Sequence, residues 1–224
     1  MWKSIISIFE KPFVQRYLTS LKNKGILPNN EYNLDQFNQL RGKIQKQFNC
    51  GRKTSIRPEE ERLLYAISEI IKPQSVIGVG SYFGYAMAWL VAGMNPQGTA
   101  YLIDPDPKVS KLAQENFKNL GLSDRVEIIN VDFFDIVDDL PKTDLVWIDA
   151  AGPRNSANPD YRHKKIYGPI IESLDQKVVE SGLVLAHNVL PLSNKTGRFK
   201  PYLRQTYQTT CNILSGGGIY IAKK

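Results

Sequence analysis

The stretch Val76–Leu90, VIGVGSYFGYAMAWL, runs from an apolar segment through a turn holding two glycines and two tyrosines into an apolar helical pattern. Gly80 and Gly84 stand four apart with the helix following, so backbone amides there can approach a ligand at a helix N-terminus. Alone, G-x-x-x-G also serves plain packing of helix on strand, and its meaning depends on what the later strands carry. In an open parallel sheet the ligand crevice lies beyond the carboxyl ends of the strands, and the turn after the first strand is its usual floor.

Outward from this turn the chain alternates. EERLLYAISEIIK reads as an amphipathic helix, SVIGVG as a short apolar strand and YAMAWLVAGM as a helix. TAYLID, RVEIINVD, TDLVWIDA and LVLAHNV read as further strands, and KVSKLAQENFKNLG, closed by Gly121, and KIYGPIIESLDQKVVESG as helices. Strands that are apolar throughout, joined through helices, predict a parallel α/β sheet covered on both faces. TTCNILSGGGIYIAKK reads instead as two strands around a glycine turn, a hairpin.

Before residue 58 the pattern is helical. Ile5, Ile6, Phe9, Phe13, Val14, Tyr17, Leu18 and Leu21 recur at three and four, Gly25 and Pro28 stop the run, and a second segment follows near Leu34–Phe48. NCGRKTSIRPEEE is polar and flexible in character, with Pro58 opening the next helix and three glutamates in its first turn. The expected division is a basic helical cap and loop over 1–57 and a main domain over 58–224.

The chain has 224 residues, 42% hydrophobic and 23% charged, a globular composition with length for one sizeable α/β domain and an appendage. No run reaches the roughly 18 to 20 apolar residues of a membrane helix, and MWKSIISIFEKPF meets charge too soon for a secretory signal, so a cytoplasmic location is expected. Cys50 and Cys211 are far apart, with no partner ligands at metal spacing, and read as free thiols. The net charge of +7 is lopsided: residues 1–57 hold 11 Lys and Arg against 3 Asp and Glu. This argues against a uniformly basic nucleic-acid binder and suggests a basic layer near an acidic ligand, carrier or partner, or else a solvated lysine-rich face.

The strand ends supply what the turn lacks. Asp104, in YLIDPDP, falls where a carboxylate can accept hydrogen bonds from both ribose hydroxyls, with Asp106 better placed as a helix cap. At the next strand end, NVDFFD puts Asp132 where it can accept from the adenine amine and Phe133 where it can cover the ring. Three successive ends thus present groups suited to successive parts of an adenosine. A nicotinamide dinucleotide would ask for G-x-G-x-x-G, whereas the glycines here fall at 78, 80 and 84.

VIGVGSYFGYAMAWL, YLIDPDPKVSKLAQENFKNLGLSDRVEIINVDFFD and TDLVWIDA together resemble class I S-adenosylmethionine-dependent methyltransferases of the catechol and caffeoyl-CoA O-methyltransferase-like family, from about Arg57 to Lys224. The resemblance implies a Rossmann-like sheet of seven strands, six parallel and the last antiparallel, with helices on both faces. It also implies that Gly80, Ser81, Tyr82, Gly84 and Tyr85 line the methionine and ribose side, that Asp104 takes the ribose, that Asp132 and Phe133 meet the adenine, and that Asp149 borders the cofactor.

Several positions depart from that pattern. The acid expected two residues before the first glycine is Gly78, and a serine that touches the methionine carboxylate is Ala86. The implied metal site uses Asp149 at the fourth strand end and an Asp-Asn pair at the fifth, where this chain has His187 and Asn188. An imidazole among oxygens shifts preference from magnesium toward manganese, iron or zinc. The lysine that draws the acceptor proton is replaced by Gly152, leaving His187, with an ordinary pKa near ~6.5, as the alternative general base. After Asp149 the connection AAGPRNSANPDYRHKK is longer than the pattern and offers Tyr161, Arg162 and His163 over the crevice, as a lid or as a plain surface insertion.

These residues lead to an expected S-adenosylmethionine-dependent methyltransferase acting on oxygen of a small, anionic or carrier-linked acceptor, with Asp149, His187 and Asn188 as catalytic and metal-ligating residues and magnesium, manganese or iron as the ion. A metal-free enzyme working on O or N through His187, and a non-catalytic cofactor- or partner-binding protein, stay open as alternatives. A homodimer is expected; nucleic acid and membrane partners are not.

Overall fold

The computed structural model describes residues 2–50 and 56–224, with side chains from residue 10 onward. The expected loop residues 51–55, and the side chains of Ile5, Ile6 and Phe9 in the first helical pattern, lie outside the described residues.

Two helices, α1 (Trp2–Asn23) and α2 (Leu34–Gln47), precede the alternating part of the chain. There follow α3 (Pro58–Ile71), β1 (Ser75–Val79), α4 (Tyr85–Gly93), β2 (Thr99–Ile103), α5 (Pro107–Leu120), β3 (Val126–Ile129), α6 (Phe133–Ile136) and β4 (Thr143–Ile148). The chain closes with α7 (Tyr167–Leu174), β5 (Val178–His187), α8 (Phe199–Thr206), β6 (Thr209–Ile213) and β7 (Ile219–Lys223).

The strands form one sheet in the order β3-β2-β1-β4-β5-β7-β6. Pairings from β3 through β5 are parallel, and β7 lies antiparallel between β5 and β6, so the hairpin inserts the last strand as expected. The order reverses between β1 and β4, which opens the crevice at the carboxyl ends of these strands.

Alternate residues of each strand face opposite layers. Val76, Leu145, Trp147, Leu183 and Leu185 join Phe37, Leu18, Leu64 and Trp89 of the α1–α4 side. Ile77, Val79, Val146, Ile148 and Val184 join Tyr167, Ile170 and Phe199 of the α7–α8 side. The N-terminal helices therefore share the core that carries the first turn of the crevice.

Two elements differ from expectation. The helix read over KIYGPIIESLDQKVVESG ends at Leu174, and Val178 already belongs to β5, paired with Thr143. The β-branched pair Val178-Val179 favours strand, and Ser181 at φ 65 absorbs the register irregularity beside it. Helix α8, in a segment without a clear sequence pattern, buries Phe199 and Leu203 against the sheet.

Candidate active site

The first turn is built by backbone. Gly80 and Ser81 donate their N–H groups to the Ile103 carbonyl at 3.0 and 3.2 Å, joining the ends of β1 and β2. Gly80 sits at φ +74, and a Cβ there would lie 2.5 Å from Ala150 Cα, so the chain after β4 closes directly onto the turn. Tyr82, also at positive φ, donates its N–H to Asp104 Oδ2 at 2.9 Å, and Asp106 N–H reaches Asp104 Oδ1 at 3.1 Å. These bonds orient the carboxylate but leave it further lone pairs. Burial pushes the Asp104 carboxyl upward, against the opposing pull of those two N–H groups.

Gly80, Asp104, Asp132 and Phe133 line one cleft of about 380 Å³, floored by Val79, Ile103 and Ile170 and bordered by Ala150–Pro153. Asp132 caps α6 by accepting the Phe134 N–H at 3.0 Å, and Phe133 is buried beside it. Phe134 meets Tyr161 of the long connection, ring centroids 5.3 Å apart, so Tyr161 stands at this end of the cleft.

Not every expected residue turns inward. Tyr85 sends its hydroxyl 2.7 Å to Glu61 and packs its ring against Phe48 and Trp89, facing the N-terminal helices. Ser81 is buried within the turn, Tyr82 is exposed, and Gly84 packs its open face on Phe117. At Gly78, an added Cβ would stand 2.5 Å from the Met87 sulfur, so a thioether fills the space where an acid was expected.

Asp149, His187 and Asn188 do meet, at the ends of β4 and β5. Asp149 Oδ1 receives Lys164 Nζ at 2.6 Å and Asn188 Nδ2 at 3.0 Å, while Oδ2 faces His187 Nδ1 at 3.1 Å. Asn188 adopts φ 60, a left-handed conformation Asn tolerates, which folds its amide back onto the carboxylate. His187 is wholly buried, stacked on Trp147 with centroids 5.7 Å apart, and its Nε2 lies 3.3 Å from Glu60 Oε1 without hydrogen-bond alignment. Glu60 in turn accepts from Ser215 Oγ at 2.6 Å and Arg57 N at 2.8 Å. Gly217 of the last hairpin closes over the ring, since a Cβ there would be 2.7 Å from His187 Nε2.

The electrostatics follow. Burial alone would lower the His187 pKa, but the hydrogen bond and charge of Asp149, with Glu60, raise it to about 9. The Asp149 carboxyl is held below its ordinary value: burial would raise it, and His187 and Lys164 outweigh that. Glu60 is lowered likewise, His187 and Ser215 overcoming burial. A ring that is buried and faced on both nitrogens by carboxylate oxygens presents neither nitrogen to the cleft in this arrangement. Nor does the set as it stands fit a divalent ion. Both Asp149 oxygens are occupied by donors, and among the described residues no group of three or more His, Cys, Asp or Glu side chains could hold a metal.

Sequence reading missed two members of this cluster. Glu60 read only as a favourable charge in a first helical turn, yet it is fully buried against His187. Lys164 lies in the long connection, which is an ordered structure: Gly152 and His163 exchange backbone hydrogen bonds of 3.0 and 3.2 Å, and Arg198 Nη1 pairs with Asp160 at 2.8 Å. Lys164 is anchored further by Tyr167 Oη at 2.9 Å, and that hydroxyl donates to the His187 carbonyl at 3.0 Å.

This sheet order, with a glycine turn after β1 and acids at the following strand ends, defines a Rossmann-like methyltransferase fold. A family model described as a methyltransferase domain matches residues 77–189, half of the chain, and the chain belongs to that family. It is 29% identical over 105 residues to a catechol O-methyltransferase of Mycobacterium tuberculosis, covering 46% of this chain and 48% of that protein. The matches to curated relatives thus span about half of their length. Among solved structures, an O-methyltransferase from Bacillus cereus in complex with SAH superposes with a TM-score of 0.63 at 16% identity, covering 86% of this chain and 92% of that one. A methyltransferase from Geobacter sulfurreducens gives 0.62 at 20% identity, covering 87% and 90%. The family read from the sequence and the seven-stranded fold are both borne out. Among the described residues no helix is long and apolar enough to cross a membrane.

Proposed function

We propose that this chain transfers a methyl group from S-adenosylmethionine to an oxygen of a small-molecule acceptor. The observation that carries the reading is the convergence of Gly80, Asp104, Asp132 and Phe133 on one cleft whose border runs straight into Asp149 through Ala150. Gly80 lines this cleft with backbone, and its missing side chain lets the chain at Ala150 close against the turn. Asp104, oriented by two N–H groups, is suited to the ribose hydroxyls, and Asp132 and Phe133 to the adenine. When bound, S-adenosylmethionine supplies an electrophilic sulfonium methyl. The protein's part is to hold the acceptor oxygen beside Asp149 and Asn188 while the oxygen–methyl bond forms, the sulfur–methyl bond breaks and the hydroxyl proton passes to water, since positioning supplies most of the acceleration in such a displacement.

Arg154, Arg162 and Lys165 are exposed on the connection over this region, which favours an anionic or carrier-linked acceptor. A binding-only protein draws support from Gly78 and Ala86, where groups expected to hold the methionine end are missing. Calorimetry with S-adenosylmethionine, followed by a mass-spectrometric screen for a methyl gain on hydroxylated acceptors, tests the proposal. No heat of binding at millimolar ligand overturns the methyl-transfer reading and leaves a partner-binding protein; binding without methyl transfer to any acceptor supports a cofactor-binding one.

A further inference from the structure

We infer that Lys164 is the resident cation of the acceptor site, standing where the resemblance places a divalent metal, and that the site works without such an ion. The inference rests on the methyl-transfer reading only for its consequence for the acceptor. Asp149, the one carboxylate left in the expected ligand set, already binds the Lys164 ammonium at 2.6 Å. Its second oxygen faces the imidazole, and Asn188 turns its amide nitrogen, a donor, to Asp149 Oδ1. The same amide nitrogen also lies 3.1 Å from His187 Nδ1. A dication on Asp149 would therefore displace an amide donor and lie against an ammonium of like charge.

The connection after β4 explains how a lysine comes to be here. At position 152, where the resemblance expects a lysine, a Cβ would meet the Tyr161 carbonyl oxygen at 1.8 Å, because the arm 161–163 folds back on the chain. The same fold-back returns Lys164 to Asp149 from the far side of the loop, buttressed by Tyr167. The extra residues thus remove one lysine position and create another. Lys164 Nζ already gives its donors to Asp149 Oδ1, Tyr167 Oη and the Asp149 carbonyl, at 2.6, 2.9 and 3.3 Å, which leaves none to chelate two acceptor oxygens. The acceptor class that follows is one carrying a single reactive hydroxyl, with no need for a vicinal diol.

Mn(II) binding to the full chain, followed by electron paramagnetic resonance and calorimetry, tests this without reference to turnover. The unaltered protein should take up no Mn(II) at about 1 mM, whereas Lys164→Met combined with His187→Asp, which frees Asp149 and adds a carboxylate, should bind one ion at least about tenfold more tightly. One Mn(II) bound by the unaltered protein and lost in Asp149→Asn would overturn the inference. If the double variant unfolds, as circular dichroism would report, that measurement on the unaltered protein still decides. S-adenosylmethionine calorimetry on the same samples fails separately if the methyl-transfer reading is the one at fault.

Discussion

Glu60, from α3, and His187, from the end of β5, form a buried pair with Oε1 and Nε2 3.3 Å apart, so the helix before β1 is tied electrostatically to the carboxyl edge of the sheet. With Asp149 on its other nitrogen, the ring binds its proton more tightly in the folded chain than in the unfolded one, about 9 against ~6.5. The resulting stabilisation, on the order of 3 kcal/mol, is complete below pH ~6.5 and lost as pH rises through about 9. Urea midpoints of the unaltered chain and His187→Gln should therefore differ most near pH 6 and converge by pH ~9.5. A difference that stays constant across that window would show the ring to be neutral throughout.

Asp104→Ala should weaken S-adenosylmethionine binding by roughly 10- to 100-fold, because charge-assisted bonds to two hydroxyls are exchanged for water. The melting temperature should move little, since the lost protein contacts are two N–H groups at the crevice edge that water can reach. Calorimetric titration and a thermal melt, read together, separate this from general unfolding.

How much of this site was legible beforehand depends on where each residue sits. Asp104, Asp132 and Asp149 close apolar strands, and strand ends are marked in sequence by the switch from an apolar run to an acid. Gly80 announced itself by type, because positive φ and close approach favour glycine. Lys164 carried no such mark: it is one of several cations in an unpatterned connection, and only the Gly152–His163 pairing sets where it points. Glu60 was hidden among Glu59 and Glu61, and its burial follows from contact with Ser215, 155 residues away. The outward turn of Tyr85 likewise depends on a long-range partner, Glu61.

Gly80→Ala should destabilise the fold by about 2–4 kcal/mol, combining a left-handed conformation that costs a Cβ-bearing residue about 1–2 kcal/mol with a backbone collision. The neighbour is Ala150 Cα at 2.5 Å, which belongs to the chain leaving β4 and cannot rotate aside as a side chain would. S-adenosylmethionine binding should fall with it. A variant that melts like the unaltered chain would mean that the β4 connection yields easily, and would undo the picture of a rigid crevice floor.

Glu10 of α1 is the anion at the centre of a buried network. Arg62 of α3 hydrogen-bonds to its Oε1, Arg41 of α2 reaches both its oxygens at 2.9 and 3.0 Å, and the Arg41 and Arg62 guanidiniums lie over the Phe37 ring. The side chains of Glu10 and Arg62 are 2% and 3% exposed, so water does not replace a lost partner. Glu10→Ala leaves a guanidinium buried beside a cavity and should cost about 3–5 kcal/mol, measured by urea unfolding. Replacing Glu10 and Arg62 together, Glu10→Met with Arg62→Met, removes the most buried pair while Arg41 keeps Glu61 at 3.1 Å and the Pro58 carbonyl at 3.0 Å, and should cost less than Glu10→Ala alone. If the double replacement proves the more damaging, the network contributes net stability, and the attachment of the N-terminal helices to the methyltransferase core is electrostatic rather than apolar.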